Sequence, residues 1–409
     1  MMAILSKIKS LFVYETIALF AIIYTSNDTL LFGTNSDERF ILLKYVVIAL
    51  LIICGFIKSV GKIYSIKRCL PALVFLFLFF FFNSIFTGFH LGFLYNILLF
   101  ILALTYVWNV NINRFVTSFQ RIIYLLALIS IVVQISIFVR PSFIDIFPQY
   151  FNSEGFPFHC AYLTMIYDDI QLRNFGIFRE PGVYMIYLNM SLFVELFSMK
   201  PSIKRTIVVL LASISTVSTA GIAISLSILI LFLLFSRNYK TLIGIIPVCL
   251  LFYYLITQIP EIYILLFDKI ENQTYSSYAR IASLVVPFDI FYLYPIGAGP
   301  DAYNQLFPIL SNARYGVQID PRDTTNTILK FLAVYGPLVC IFMSYYLYKF
   351  TQSFSNKKLF NILLFAVMLI AISNEDLRDS AFFYLLIAYG VLFSVSRERE
   401  VINNFVIRH

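Results

Sequence analysis

Arginines lie in two long polar stretches of a chain that is otherwise strongly apolar, and five of them are candidates for chemistry. They are Arg173, Arg179, Arg280, Arg314 and Arg322. A guanidinium group presents a planar fork of donors that matches the oxygens of a phosphate. Several arginines at a membrane surface therefore predict a site for an anionic lipid head group or a sugar diphosphate. The alternative interpretation is that each arginine pairs with a carboxylate of its own loop.

Carboxylates in the same two stretches are candidate general bases. They are Asp168, Asp169, Glu180, Asp301, Asp320 and Asp323. A carboxylate beside an acceptor hydroxyl can take up its proton during the reaction. The alternative, which fits each of them taken singly, is that they are solvated loop charges.

Two of the arginines lie near features that position the backbone. Arg179 lies beside Pro181-Gly182, and Arg280 lies in the same stretch as the turn Gly297–Gly299. Proline suits the first position of a helix, and Glu180 would then lie at the cap, where the helix dipole favours a carboxylate. Glycine-rich turns can bring backbone amides to a phosphate, although a plain tight turn is the alternative.

Composition places the chain in the membrane. Of its 409 residues, 60% are hydrophobic and 13% are charged, whereas about a quarter of a typical soluble protein is charged. Apolar runs long enough to cross a bilayer recur from end to end, and in lipid such runs must be helices. The net charge of +8 does not predict nucleic-acid binding, because lysine and arginine gather in the short turns between spans. The five scattered cysteines and three distant histidines indicate neither a disulfide framework nor a metal site.

The pattern predicts an all-α polytopic protein with about twelve transmembrane helices. The predicted spans are residues 11–25, 40–57, 70–87, 92–109, 118–139, 183–199, 204–217, 219–236, 241–257, 325–348, 359–374 and 381–396. If these spans alternate, the basic turns all fall on one side, which places both termini in the cytoplasm. The count depends on dividing one apolar stretch at Ser218–Gly221, because a single long helix would invert every later loop.

Two large loops, residues 140–182 and 258–325, then lie on the outer side. We expect the first loop, which is rich in aromatic residues, to fold against the bundle. In the second loop, Ile281–Val286 is too short to cross the membrane, and we expect it to lie in the interface or pack on the loop. The tenth span is expected to begin near Thr325.

Short motifs follow one another in a defined order along the chain. They are Arg173–Tyr184 (RNFGIFREPGVY), Ile214–Ile222 (ISTVSTAGI), Tyr278–Arg280 (YAR), Tyr294–Asp301 (YPIGAGPD) and Thr325–Pro337 (TNTILKFLAVYGP). In their residue types and their order they resemble motifs of the O-antigen ligase and O-antigen polymerase (Wzy-type) superfamily of bacterial envelope enzymes.

The resemblance implies one transmembrane domain over residues 1–409 with a GT-C-like fold and two periplasmic loops. It implies an O-antigen polymerase in the bacterial inner membrane, a glycosyltransferase that needs no nucleotide sugar, metal or cofactor. Donor and acceptor would both be glycans on undecaprenyl diphosphate. Besides membrane lipids, the implied partner is a chain-length regulator protein.

The resemblance also implies roles for residues. Arg179 and Arg280 would stabilise the departing diphosphate, and Glu180 would be a candidate base, with Asp301 or Asp320 as alternatives. The other substrate-binding candidates are Arg173, Arg314, Arg322, Tyr184, Gly297, Gly299, Asp301, Asp320 and Asn326.

Two alternatives belong to other classes of protein. Ligases of the superfamily carry a histidine immediately before the asparagine of the last motif, where this chain has Thr325, so the polymerase is favoured over the ligase. A lipid-linked oligosaccharide flippase should show two homologous halves and polar residues along a central path. Here the spans are nearly free of charge away from their ends, with Glu195 and Lys330 as the exceptions.

Overall fold

The computed structural model describes residues 15–61, 63–167, 173–198, 201–235 and 275–395. Within these ranges the chain forms two compact units. The first contains residues 15–60, 105–167, 173–198 and 201–235, and the second contains residues 61, 63–104 and 275–395. The predicted ninth span, the first part of the second loop, Asp168 and Asp169 lie outside the described residues.

The described residues are mainly helical. In chain order the helices are α1 (Glu15–Tyr24), α2 (Glu38–Ser59), α3 (Ile63–Thr87), α4 (Leu91–Val107), α5 (Ile112–Val139), α6 (Pro181–Phe197), α7 (Ile203–Ser215), α8 (Thr219–Phe235), α9 (Tyr275–Leu293), α10 (Gly299–Tyr315), α11 (Thr327–Tyr335), α12 (Pro337–Gln352), α13 (Lys358–Ile372) and α14 (Ala381–Val395). Shorter turns lie at Leu30–Thr34, Pro141–Ile146 and Pro321–Asp323. Three strands, β1 (Gln149–Phe151), β2 (Pro157–Cys160) and β3 (Met165–Tyr167), form one antiparallel sheet in sequence order.

Several helices have the length and composition of membrane segments. Helices α2 and α5, together with residues Ile66–Thr87 of α3, are long and apolar enough to cross a bilayer. Helices α1, α4, α6, α8, α13 and α14 are also apolar but shorter. The chain is therefore a helical membrane protein, and the predicted all-α class is confirmed at that level.

Side-chain contacts show how the helices of the first unit run. At the starts of α1 and α5, Arg114 Nη1 lies 2.8 Å from Glu15 Oε1. Gln120 of α5 bonds Glu195 near the end of α6, whereas Ser130 of α5 lies 3.1 Å from the hydroxyl of Tyr184 near its start. Helices α5 and α6 are therefore antiparallel. The end of the unit that contains Glu195 is called the Glu195 end below.

Helices α7 and α8 form a hairpin on α6. Helix α7 begins beside Glu195, which forms an ion pair with Arg205. It ends at Ser215, whose carbonyl accepts the amide of Asn174. Helix α8 runs back beside α6, because Ser225 bonds Asn189 and Phe232 packs on Phe197.

The chain reverses between these two helices at Thr216–Ser218, where Val217 has φ 49°. This reversal confirms that the apolar stretch is two helices and not one long helix. The buried Glu195, noted in the sequence as a charge inside a span, is engaged in tying α5, α6 and α7 together.

The first long loop folds as expected against the unit. Phe158, Cys160 and Met165 of its sheet pack against Leu30 and Phe32 of the preceding short turn. Three-residue and four-residue strands give no clear sequence signal, so the sheet itself was not predicted.

The second long loop differs from its prediction. Residues that were expected to form a mixed loop segment instead form the two helices α9 and α10. The segment Ile281–Val286 is the middle of α9, which continues through Pro287. The residues on both sides of this short apolar run are of mixed polarity. The sequence therefore contains no apolar pattern long enough to indicate the whole helix.

The predicted tenth span is also divided. The helix breaks at Gly336, where φ is +83°, and resumes at Pro337. Glycine tolerates this backbone conformation, and the following proline cannot donate to the preceding turn.

Candidate functional site

The arginine-bearing segment before α6 is held by its backbone at the end of the first unit opposite Glu195. The amide of Asn174 donates to Ser215 O, and Arg173 Nε donates to Thr216 O at 3.2 Å. The motif Ile214–Ile222 therefore supplies the reversal against which the segment rests. Two motifs that are distant in sequence meet here.

The middle of the segment joins the sheet and the turn after α1. The amide of Met165 donates to Gly176 O, and the amide of Leu30 donates to Ile177 O. Gly176 has φ +54°, and a Cβ there would lie 2.9 Å from the ring of Tyr184. Both the conformation and the space require glycine at this position.

Arg179 has its backbone fixed from the opposite side. Its amide donates to Asp28 O at 2.9 Å, and the buried carboxylate of Asp28 accepts the hydroxyl of Tyr187. The Arg179 side chain is 18% exposed, and its Nη1 lies 3.9 Å from Glu180 Oε1. The Arg179 side chain is thus partly exposed, and its backbone is held by Asp28. We name Asp28, Arg179 and Tyr187, with the segment 173–180, the Asp28 end of the first unit.

Glu180 occupies the predicted position. It is the N-cap residue of α6, and Pro181 is the first helical residue. Its side chain makes no hydrogen bond with the helix amides and is 52% exposed. The carboxylate is therefore accessible to solvent beside Arg179, which is what a base or an anion-orienting group requires.

Tyr184 is placed differently from its prediction as a sugar-orienting residue. Its side chain is fully buried, and its hydroxyl pairs with Ser130. Its ring stacks on Phe178 at 5.1 Å between centroids. The structure therefore gives Tyr184 a role in packing the start of α6.

Arg280 lies in the first part of α9, in the second unit. On one side of it, Tyr275 donates its hydroxyl to Asp323 Oδ2 at 2.6 Å. On the other side, Ser283 Oγ accepts the amide of Thr325 at 3.1 Å. Arg280 itself is half-buried and has no hydrogen-bond or ion-pair partner in the described part of the chain.

The other two arginines of the second loop are paired with carboxylates. Arg314 Nη2 lies 2.6 Å from Asp289 Oδ1. Arg322 bonds both oxygens of Asp320, and this guanidinium lowers the pKa of the Asp320 carboxyl. For these two arginines the loop salt bridge, which was the alternative interpretation, is what the structure contains.

The turn at Gly297–Gly299 is a close-packed turn. The amide of Gly297 donates to Tyr294 O, and the amide of Ala298 donates to Ala333 O, so neither amide is directed to a ligand. A Cβ on Gly297 would lie 2.7 Å from Gly336 N, and one on Gly299 would lie 2.6 Å from Thr87 Cβ. The glycines allow close backbone approach inside the second unit.

Asp301 and Asn326 lie at the starts of two helices. Asp301 is in the first turn of α10, is 70% exposed, and lies 3.5 Å from His90 Nε2. Asn326 is buried, and its side-chain oxygen caps α11 by accepting the amide of Leu329. Asp301 remains accessible to a substrate, whereas the oxygen of Asn326 is already bonded.

A buried ionic cluster in the second unit was not predicted. Lys330 Nζ donates to Asp376 Oδ2 at 2.8 Å, to Pro321 O at 2.9 Å and to Thr324 Oγ1 at 2.5 Å. Arg378 also bonds Asp376. The sequence contains a lysine inside an apolar helix and an acidic connection between the last two predicted spans. Nothing in the sequence indicates that these two features are in contact.

The site residues thus fall into two groups, one in each unit. The first unit presents Arg179 and Glu180 together, and the second presents Arg280 on the helix that bonds Asp323 and Thr325. Within the described residues, no three His, Cys, Asp or Glu side chains cluster as metal ligands would. The chemistry that these groups offer is the binding of an anion by guanidinium beside an accessible carboxylate.

Comparisons with protein families, with characterised proteins and with solved structures find no match to this chain.

Proposed function

We propose that this chain is a membrane glycosyltransferase that polymerises oligosaccharide repeat units carried on undecaprenyl diphosphate. A hydroxyl of the acceptor glycan attacks the anomeric carbon of the donor glycan. The bond from that carbon to the diphosphate oxygen breaks, and undecaprenyl diphosphate leaves with the electron pair. The hydroxyl proton passes to a base, for which Glu180, Asp301 and Asp320 are the candidates.

The leaving group already carries the energy of the reaction, so the protein has to bind it and stabilise its growing negative charge. Arg179 and Arg280 have this role in the proposal, with assistance from Arg173 and from Arg322, whose guanidinium also bonds Asp320. The observation that carries the proposal is Arg280, a half-buried residue whose side chain has no ion-pair or hydrogen-bond partner among the described residues. Its helix bonds Asp323 through Tyr275 and Thr325 through Ser283. The planar fork of such a guanidinium can bind two phosphate oxygens at once, so a ligand that supplies them suits it.

The proposed arrangement in the membrane has about twelve spans, a GT-C-like fold and both termini in the cytoplasm. The Glu195 end of the first unit carries Arg114 and Arg205, and the positive-inside rule assigns such an end to the cytoplasm. The Asp28 end, with Arg179 and the small sheet, then faces the periplasm. This is the side on which lipid-linked units are polymerised in the proposal.

The test replaces Arg179 and Arg280 separately by Ala and by Lys in a bacterial strain that lacks the native gene. We expect each Ala variant to lose long surface glycan at normal protein level, and each Lys variant to recover little of it, because Lys lacks the planar fork. Arg39→Ala is the control, since Arg39 is an exposed arginine paired with Asp37, and it should make chains of normal length.

If both Ala variants make long chains, the roles of these arginines are refuted. The gene deletion separates the classes of protein. A polymerase mutant accumulates single lipid-linked units on the outer face, whereas a flippase mutant keeps them inside and a ligase mutant accumulates long lipid-linked chains.

A further inference from the structure

Lys330 is buried in the apolar helix α11 and has all three of its ammonium protons engaged. The acceptors are Asp376 Oδ2, Pro321 O and Thr324 Oγ1. A buried ammonium group is unfavourable unless it is paired and fully hydrogen-bonded, and here it is both. The amine therefore has no proton left for a substrate.

The three acceptors belong to two different segments. Pro321 and Thr324 lie at the end of the second long loop, and Asp376 lies in the connection between α13 and α14. Thr324 also donates its own hydroxyl to Pro321 O. Lys330 thus joins three parts of the chain at one nitrogen atom.

The connection is anchored to α11 by a second residue. Thr327 donates its hydroxyl to Glu375 O and accepts the amide of Leu377. Asp376, between those two residues, is thereby held in place to receive Lys330 and Arg378. The acceptor of Lys330 therefore lies between two residues that are bonded to α11.

The other side of the loop end is bonded to the helix of Arg280. Tyr275 accepts the amide of Asp320, and Ser283 accepts the amide of Thr325. The segment 320–325 therefore lies between α9 on one side and the Lys330 cluster on the other. It carries Arg322, and its last residue, Thr325, bonds Ser283, which lies three residues after Arg280 on α9.

We propose that Lys330 and Thr324 are positioning residues, which hold the segment 320–325 in the conformation that binds the diphosphate-linked glycan. This inference rests on the proposed function. Neither residue touches the reacting atoms; they act through the segment. Loss of their contact releases the segment and weakens substrate binding.

The test compares Thr324→Val with Thr324→Ser in the full-length protein. Valine keeps the volume and removes the hydroxyl, whereas serine keeps the hydroxyl, so the pair isolates the hydrogen bond from packing. Lipid-linked repeat unit extracted from the polymerase-deficient strain is the substrate for steady-state kinetics in detergent. Hydrogen–deuterium exchange of the peptide covering residues 319–326 reports on the segment itself.

We expect Thr324→Val to raise KM about 10-fold, as for loss of a hydrogen bond to a charged group, with faster exchange of the segment. Thr324→Ser should match the wild type in both measurements. A merely structural role would lower the amount of active protein, and hence the maximal rate, at unchanged KM. As a second variant, Lys330→Met should raise KM in the same direction.

An unchanged KM in Thr324→Val, with an active wild type, overturns the positioning role, whether exchange changes or not. A wild-type protein that does not polymerise the purified unit overturns the proposed function itself, and the positioning role with it. The two failures are therefore distinguishable.

Discussion

Replacing Gly390 by alanine should destabilise the second unit, because α14 meets α12 there with no room for a side chain. A Cβ at this position would lie 1.9 Å from Tyr346 O and 3.2 Å from Phe350 N. Ordinary contact begins at 3.4 Å, so the helices would have to separate by 3.4 − 1.9 = 1.5 Å. Small residues at such contacts let the backbones of membrane helices approach closely.

The obstructing atoms belong to the main chain, which cannot rotate away as a side chain can. We therefore expect Gly390→Ala to lower the free energy of unfolding by about 2–3 kcal/mol, in the upper part of the range for overpacked cores. Gly61→Ala is the matched control, since nothing lies within 4 Å of a Cβ at that residue. It should change stability by less than about 0.5 kcal/mol.

The measurement is loss of helical circular dichroism during titration of the purified proteins with a denaturing detergent. Equal midpoints for Gly390→Ala and the wild type would show that α12 and α14 do not approach as closely as described. A similar decrease in the free energy of unfolding for Gly61→Ala would mean that replacing a glycine is enough to cause the effect, and that the contact between α12 and α14 is not its cause.

Two further predictions concern pH and sidedness. The Arg322 guanidinium lowers the pKa of Asp320 in the folded protein. The ion pair therefore makes its full contribution to the free energy of unfolding above the ordinary aspartate pKa of about 3.9, and this contribution is lost as pH falls through the lower pKa of the folded state. Because both side chains are substantially exposed, Asp320→Asn should lower the free energy of unfolding by less than about 1 kcal/mol at neutral pH. Denaturant titrations of the variant and the wild type should coincide in acid. In a variant without native cysteines, Glu154→Cys should react with a membrane-impermeant maleimide in cells with a permeabilised outer membrane, and Lys204→Cys only after lysis; the reverse pattern would refute the proposed orientation.

Features governed by local physics could be predicted from the sequence. Pro181 and the carboxylate before it correctly marked the start of α6, because both residue types suit a helix N-terminus. The division of the apolar stretch at Ser218–Gly221 came from the distribution of charge along the chain, and the reversal at Thr216–Ser218 confirms it.

Features that depend on distant contacts were missed. Asp376 is 46 residues from Lys330 in sequence, and neither residue's surroundings indicate the other. The same holds for the strands of the first loop, which are too short to carry an alternating pattern. Helix α9 was hidden by Pro287 and by its mixed polarity.

The site was predictable only in part for the same reason. Residue types identified the arginines, but not which of them were already paired. Arg314 and Arg280 look alike in sequence, and only the fold brings Asp289 to the former and leaves the latter without a described partner.

Gly297 and Gly336 exclude side chains from each other. A Cβ on the first would meet the amide of the second, and a Cβ on the second would lie too close to Ile296 O. The atoms that would clash with an added side chain are main-chain atoms at both positions. A substitution at one glycine therefore cannot make room for a side chain at the other. Neither glycine can therefore be replaced during evolution, even if the other is replaced as well. Gly316 differs, because it has open space around it and is constrained only by its own backbone angle. Descendants of this sequence should exchange loop residues around the pair long before either glycine is replaced.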